Sequence, residues 1–325
     1  MPKPDSVRSS LENISARVNA LDKINEEYDT KLNLTTFHYL PAISGYVSDS
    51  PWVVDIYDDP SQLVFNNGIH HHFGVAVLEH LLNSAEAGLI TLHPDFSQEY
   101  DFEKVYLMNG CSYNRITPGW HGYEKGIGSS DGASISAVWV GKTDIDQGMR
   151  ILIESLYQTD AHVVVNVFGE PYAQSKAYAQ EKGVDNAVHF HGDVSHEVII
   201  NHLREADVGL CILPRREDWL YSYPIKIGEY LSAGLIPVAS DFPAINRLMG
   251  TVGFKIDPVP SQLSTVFEEI SNLDSRERQK MYKNSRDRAE AIAWRDIRDE
   301  MVRGLKKVLS STAENNEEDY NNNRY

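Results

Sequence analysis

The sequence predicts an α/β protein of two domains, the second a doubly wound, Rossmann-like sheet. Three observations predict it. From about residue 134 to residue 292, short β-branched runs alternate with stretches of helical period, the pattern of parallel strands covered by helices. Ahead of them, residues 117–133, TPGWHGYEKGIGSSDGA, are glycine-rich and lack apolar periodicity, so they read as a linker. Within the second domain, YSYPIKIGEYLSAGLIPVASD reads as loop, helix and buried strand, with Pro224 in the helix's first turn and Gly234 just past its end.

Composition bounds the function classes. The 325 residues are 42 % hydrophobic, enough for two cores. Forty-seven acidic against thirty basic residues give a formal net charge of -17, which argues against nucleic-acid partners and against docking on an anionic membrane by charge alone. Only Cys111 and Cys211 are present, far apart and outside any metal-ligand spacing, so reduced thiols in a cytoplasmic protein are expected. The N-terminus has no apolar signal core, and no run of about 18 apolar residues occurs. Peripheral association with a membrane stays open.

Taken in order, residues 6–27 carry Leu11, Ile14, Val18, Leu21 and Ile24 at helical spacing. LNLTTFHYL and PWVVDIYDDP read as strands, 74–87 as a helix, and GLITL and KVYLMNG as further strands. These make an α/β domain over 1–116. Beyond the linker the strands are SAVWVG, HVVVNVFG, AVHFHG, VGLCIL, IPVAS and GFKI. Helices are expected over 145–156, 172–182, 196–205, 244–249, 261–270 and 274–292. A last helix over 293–310 and a polar, disordered tail over 311–325 complete the reading.

Ligands of such sheets bind at the carboxyl ends of the strands. Lys226 and Glu229, three apart near a helix N-terminus, share one face there and suit a phosphorylated ligand. Lys142 follows Gly141 between a strand and a helix, where anions bind. Ser222 and Tyr223 would offer backbone amides, the plainer reading being a helix cap and a packed ring. Arg215 and Arg216 follow another strand end, although loop arginines are common on surfaces. The run His70, His71 and His72 is not read as a metal site, because adjacent histidines do not converge on one ion. Asp58 and Asp59 either meet a hydroxyl of a ligand or simply end a strand and favour a turn.

Five pieces, VWVGK, VVVNVFGE, VHFHGDV, LREADVGLCILP and PIKIGEYLSAGLIPVAS, come in the order found in the two-domain GT-B glycosyltransferases. The region 134–292 resembles their nucleotide-sugar-binding domain, closest to glycosyltransferase family 4. The stretches WVVDIYDDP, SAEAGLITLHPDF and VYLMNGCSYNRITP are similar to the end of the family's acceptor-side domain. The resemblance implies a GT-B-like fold with an N-terminally shortened acceptor domain. It implies transfer of a sugar from a nucleotide-diphosphate sugar, with retention, in glycan or polysaccharide synthesis, and no cofactor or metal.

By the same resemblance Glu229 would hold the donor's ribose, and His191 and Gly192, in the loop 191–194, would line its base. Lys142, Lys226 and the helix N-terminus at Ser222 would stabilise the departing diphosphate, with its own phosphate taking the acceptor's proton. Departures are visible too. Tyr221 stands where the family has the first of two glutamates, Lys142 and Gln147 where it has an arginine and a lysine, and Tyr57 or Asp58 where it has an acceptor-side histidine. The acceptor would be an unidentified glycan, lipid or protein. The alternative is a non-catalytic, nucleotide-sugar-binding subunit whose partner chain completes the first domain.

Overall fold

A computed structural model describes residues 33–36, 52–57, 76–77, 79–96, 100, 102–114, 116 and 134–322. The expected N-terminal helix over 6–27, the linker 117–133, Asp58, Asp59 and His70 to His72 lie outside the described residues. The chain divides into two compact units, Met1–Met108 with Arg298–Tyr325, and Asn109–Ile297.

In the first unit four parallel strands lie in sequence order: β1 (Asn33–Thr36), β2 (Trp52–Ile56), β3 (Ala87–Ile90) and β4 (Glu103–Tyr106). Val53 aligns with Ala87, and Ala87 with Glu103. Strand β2 is buried apart from Asp55, as the run WVVDI foretells. Trp52, Val54, Ile56, Leu81, Leu82, Ile90 and Leu92 form the core, and the Trp52 indole donates to the Ser84 carbonyl at 3.1 Å.

The second unit is a six-stranded, fully parallel sheet of order β10-β9-β8-β5-β6-β7. Its strands are β5 (Ile135–Val140), β6 (Val163–Phe168), β7 (Val188–Gly192), β8 (Val208–Cys211), β9 (Ile236–Ser240) and β10 (Phe254–Ile256). The chain winds outward one way through β5, β6 and β7, then returns past β5 to β8, β9 and β10. The strand order therefore reverses between β5 and β8, the position at which such sheets open a crevice.

The helices are α1 (Arg150–Gln158), α2 (Ala173–Lys182), α3 (His196–Glu205), α4 (Glu217–Leu220), α5 (Ile225–Ala233), α6 (Pro243–Met249), α7 (Pro260–Asn272), α8 (Ser275–Ala291) and α9 (Trp294–Asn322). Apart from α4, a short helix the sequence reading left as loop, each is the expected one to within a few residues, with two informative differences. A π-helical turn, Ile145–Met149, precedes α1 where a regular helix is expected. Gly148 sits within it: a Cβ there would stand 1.9 Å from the Ile212 carbonyl oxygen and 2.9 Å from the Trp139 ring, so bare backbone lies against the residue that follows β8. The second difference is α9, which continues to Asn322 instead of ending at 310, its alanine and glutamates being good helix formers. Its residues from Arg298 group with the first unit, where Lys307 meets Glu103 at 3.0 Å.

The unit boundary falls at Met108 and Asn109, ahead of residue 116. Asn109 and its successors belong to the second unit because its side chains and backbone hold them. Cys111 donates its N–H to Ile292 and accepts from Trp294. Arg286 donates to the Ile116 carbonyl at 2.8 Å and lies 3.7 Å from the centre of the Tyr113 ring.

Candidate functional site: the carboxyl edge of the second sheet

Three glycines form a ledge where β5, β6 and β7 end. Gly141 donates to the Phe168 carbonyl, and Gly169 to that of Gly192. A Cβ on Gly169 would stand 1.9 Å from the Gly141 carbonyl oxygen, so only bare backbone can stack this closely. Thr143, fully buried behind Gly141, fixes the loop after β5: its hydroxyl donates to the Pro171 carbonyl at 2.7 Å and its own carbonyl accepts from Ser175. Lys142 is exposed, and its carbonyl accepts from the Trp139 indole at 3.1 Å.

Across the strand reversal, Tyr230 of α5 binds both central strands. Its hydroxyl donates to the Leu210 carbonyl at 3.0 Å and accepts from the Val140 N–H at 3.1 Å, where the pairing of β5 with β8 ends at Trp139 and Leu210. Complete burial drives its phenol pKa well up. The ring therefore stays neutral and pins α5 against the sheet.

That pin sets the direction of α5. The helix starts at Ile225 with Pro224, extended, at its cap position, one residue outside the first turn where the sequence reading places it, and no side chain caps it. Ile227 donates to the Pro224 carbonyl at 3.2 Å, and the Ile225 and Lys226 amides ahead of it are the ones that can meet a ligand. At the other end Gly234 has φ 75°, and the amides of Gly234 and Leu235 close back on Leu231 and Tyr230, the left-handed ending expected from the sequence. Lys226 sits one residue into the helix, 5.5 Å from the centre of the Trp139 ring, with its ammonium over Gly141. No carboxylate pairs with it among the described residues. An unpaired cation, uncapped helix amides and a bare glycine ledge converge on one point, which is an anion cradle.

Glu229 lies one turn further along α5. Its carboxylate is mostly buried, 18 % exposed, and accepts from His196 Nε2 through Oε1 at 2.9 Å. His196 opens α3, directly after β7. His191, on β7, stacks on Phe168, with 4.6 Å between ring centres, and bonds Asn166 at 2.8 Å. Partial burial, then the charges of His202 and His189, lower the His191 pKa, so its ring is held neutral.

The sequence-derived residues Gly141, Lys142, His191, Gly192, Lys226 and Glu229 thus all lie at or beside this edge of the sheet. The segment before α5 joins them. Ser222 is half-buried, and the Tyr223 carbonyl accepts from the Asn109 amide at 2.8 Å while its ring is buried, in keeping with the packed-ring reading. Burial raises the Tyr223 phenol pKa, against the pull of the Arg247 guanidinium. Arg215 is tied to Asp257 at 3.1 Å and Arg216 stacks on Trp219. Tyr57, at the end of β2 in the first unit, is 43 % exposed. Sequence reasoning missed His196 and Asn109. The first had a signal, since it follows Ser195 at the start of the helix after β7, where a ligand-facing turn is expected. No group of three or more His, Cys, Asp or Glu able to hold a metal occurs among the described residues.

Residues 135–272 match the family described as Glycosyl transferases group 1. The match runs from β5 to the end of α7 and takes in Gly141, Lys142, His191, Gly192, Ser222, Tyr223, Lys226 and Glu229. Solved structures extend the likeness over the chain and show a GT-B fold. Sucrose-phosphate synthase from Thermosynechococcus elongatus is 16 % identical with a TM-score of 0.70, covering 90 % of this chain and 77 % of that one. HepE from Anabaena, in complex with UDP, is 16 % identical with a TM-score of 0.67, over 89 % and 82 %. A glycosyltransferase from Rickettsia africae is 11 % identical with a TM-score of 0.70, over 91 % and 81 %. No curated protein matches the chain in sequence. No helix of the described residues is long and apolar enough to cross a membrane.

Proposed function

We propose that the chain binds a nucleotide-diphosphate sugar at the carboxyl edge of the second sheet and transfers the sugar, with retention, to a hydroxyl group of a glycan, lipid or protein acceptor. The observation that carries this reading is the ammonium of Lys226 over Gly141, unpaired among the described residues and beside the uncapped start of α5. The match of residues 135–272 to the glycosyl transferases group 1 and the UDP and glucose bound by HepE support the ligand class.

The chemistry follows from charge. Breaking the bond between the sugar's anomeric carbon and the diphosphate leaves negative charge on the phosphate oxygens. Lys226, Lys142 and the α5 amides stabilise that charge as it develops, and such pre-set donors are worth the most where water is displaced. The acceptor oxygen bonds to the anomeric carbon on the face the diphosphate leaves, and its proton passes to the departing phosphate, so no protein base is needed. Glu229 accepts from the ribose hydroxyls and His191, with the Gly192 backbone, borders the base.

Titration calorimetry with uridine, guanosine and adenosine diphosphates tests the donor site. Binding of one of them in the micromolar range is expected, and no heat with any of the three refutes the reading. Tyr221, in place of a donor-side glutamate, favours a second reading: donor binding without transfer, in a subunit that acts with a partner chain. Donor turnover by the isolated chain excludes that alternative.

A further inference from the structure

We propose that His196 is a positioning residue that fixes the Glu229 carboxylate, so that recognition of the donor's ribose hydroxyls depends on a histidine from the neighbouring helix. The inference rests on the reading of Glu229 as the ribose ligand. The 2.9 Å bond from His196 Nε2 to Oε1 joins the first residue of α3 to the second turn of α5, two helices that follow different strands. Oε2 of Glu229 has no hydrogen-bond partner among the described residues. One oxygen is thus held while the other stays open, which is how a carboxylate is aimed at a ligand.

Both charge states of the imidazole preserve the contact. A neutral ring donates when its proton is on Nε2, and a protonated ring donates from the same atom. The pair therefore works as a fixed strut across neutral pH. Its contribution to folding is small, because His196 is 42 % exposed and water competes for the contact from that side. What the strut provides is pre-organisation. A free glutamate must give up rotamer freedom when it takes a ligand, and His196 removes that cost beforehand.

The experiment compares ribose with a sugar that lacks its hydroxyls. Calorimetry on the full chain would use the nucleoside diphosphate that binds and its 2′,3′-dideoxy counterpart, with wild type, His196→Ala, His196→Gln and Glu229→Gln. Wild type should prefer the ribose form by about 10-fold or more, the share of a hydrogen bond to a charged group. H196A and E229Q should both lose most of that preference while binding the dideoxy form as wild type does. H196Q keeps an amide donor and should retain the preference, and the double variant H196A/E229Q should be no worse than E229Q. Because the ratio is measured within each protein, a partly unfolded sample does not alter it. A wild-type ratio in H196A, or an equal loss for both ligands, overturns the role of His196 and leaves that of Glu229 standing. No preference in wild type overturns the ribose reading, and this inference with it.

Discussion

The ammonium of Lys226 occupies the space that a side chain at Gly141 would need: a Cβ on Gly141 would stand 2.8 Å from Nζ. Gly141 has φ +121°, which adds strain of about 1–3 kcal/mol to any substitution. Gly141→Ala and Lys226→Ala should therefore produce one phenotype from two causes, displacement of the cation and its removal. Each is expected to weaken nucleoside diphosphate binding about 10- to 100-fold, the loss of a charge-assisted hydrogen bond of about 1.5–3 kcal/mol. Calorimetry should show affinity for the unphosphorylated nucleoside unchanged. Full diphosphate affinity in K226A would place the anion elsewhere.

Gly148 is the second glycine whose replacement is sharply specified. Gly148→Ala must push the π turn away from Ile212, because the added methyl would meet that carbonyl at 1.9 Å. A loss of about 1–3 kcal/mol is expected, typical of overpacking. It should be seen as a lower urea midpoint at unchanged slope. A midpoint equal to wild type would show that the turn relaxes into a regular helix without cost.

Tyr230→Phe removes one oxygen and leaves two strand ends unserved. The Val140 N–H loses its acceptor and the Leu210 carbonyl its donor, both inside the sheet. A destabilisation of about 1–3 kcal/mol is expected from the unsatisfied groups. Hydrogen exchange at Val140 should accelerate well beyond that at Ala137, deeper in β5. Equal protection at the two amides would count against the hydroxyl as the link.

Asp55 gives the first unit a pH signature. Burial raises its pKa above 3.8, so the folded state holds the proton after the unfolded chain has released it. Its contribution is therefore fully present below pH 3.8 and is lost as pH rises through the folded value. Asp55→Asn, neutral throughout, should be more stable than wild type at pH 7 and indistinguishable from it at low pH. Urea denaturation of both proteins at pH 7 and below pH 3.8 checks this, and a gap of equal size at both would exclude charge as the cause.

Much of this was legible in the sequence because it is local. The period of SAVWVG and HVVVNVFG and the glycine after LSA each report on their own neighbourhood, and the structure holds them where expected. What stayed hidden joins residues far apart in the chain. Nothing in the spacing of GDVSHE says that His196 reaches Glu229, thirty-three residues on. The hold of Arg286 on Ile116, across 170 residues, likewise has no local trace, and it helps keep that stretch in the second unit. The sequence pointed to Lys142, Lys226 and Glu229 as candidates, and the geometry supplied the neighbours of each.

Gly209 lies in the middle of β8, paired with Val138 on one side and Pro237 on the other. A Cβ there would fall 2.3 Å from the Tyr230 ring, so the strand carries no side chain where the helix has put an aromatic one. The two positions share a single volume, and evolution must treat them as one locus. Any bulk at 209 needs a smaller residue at 230, and any loss of the ring leaves a void that only position 209 can refill. Across homologous sequences the two should change together or not at all, a record of packing written in descent rather than in any one molecule.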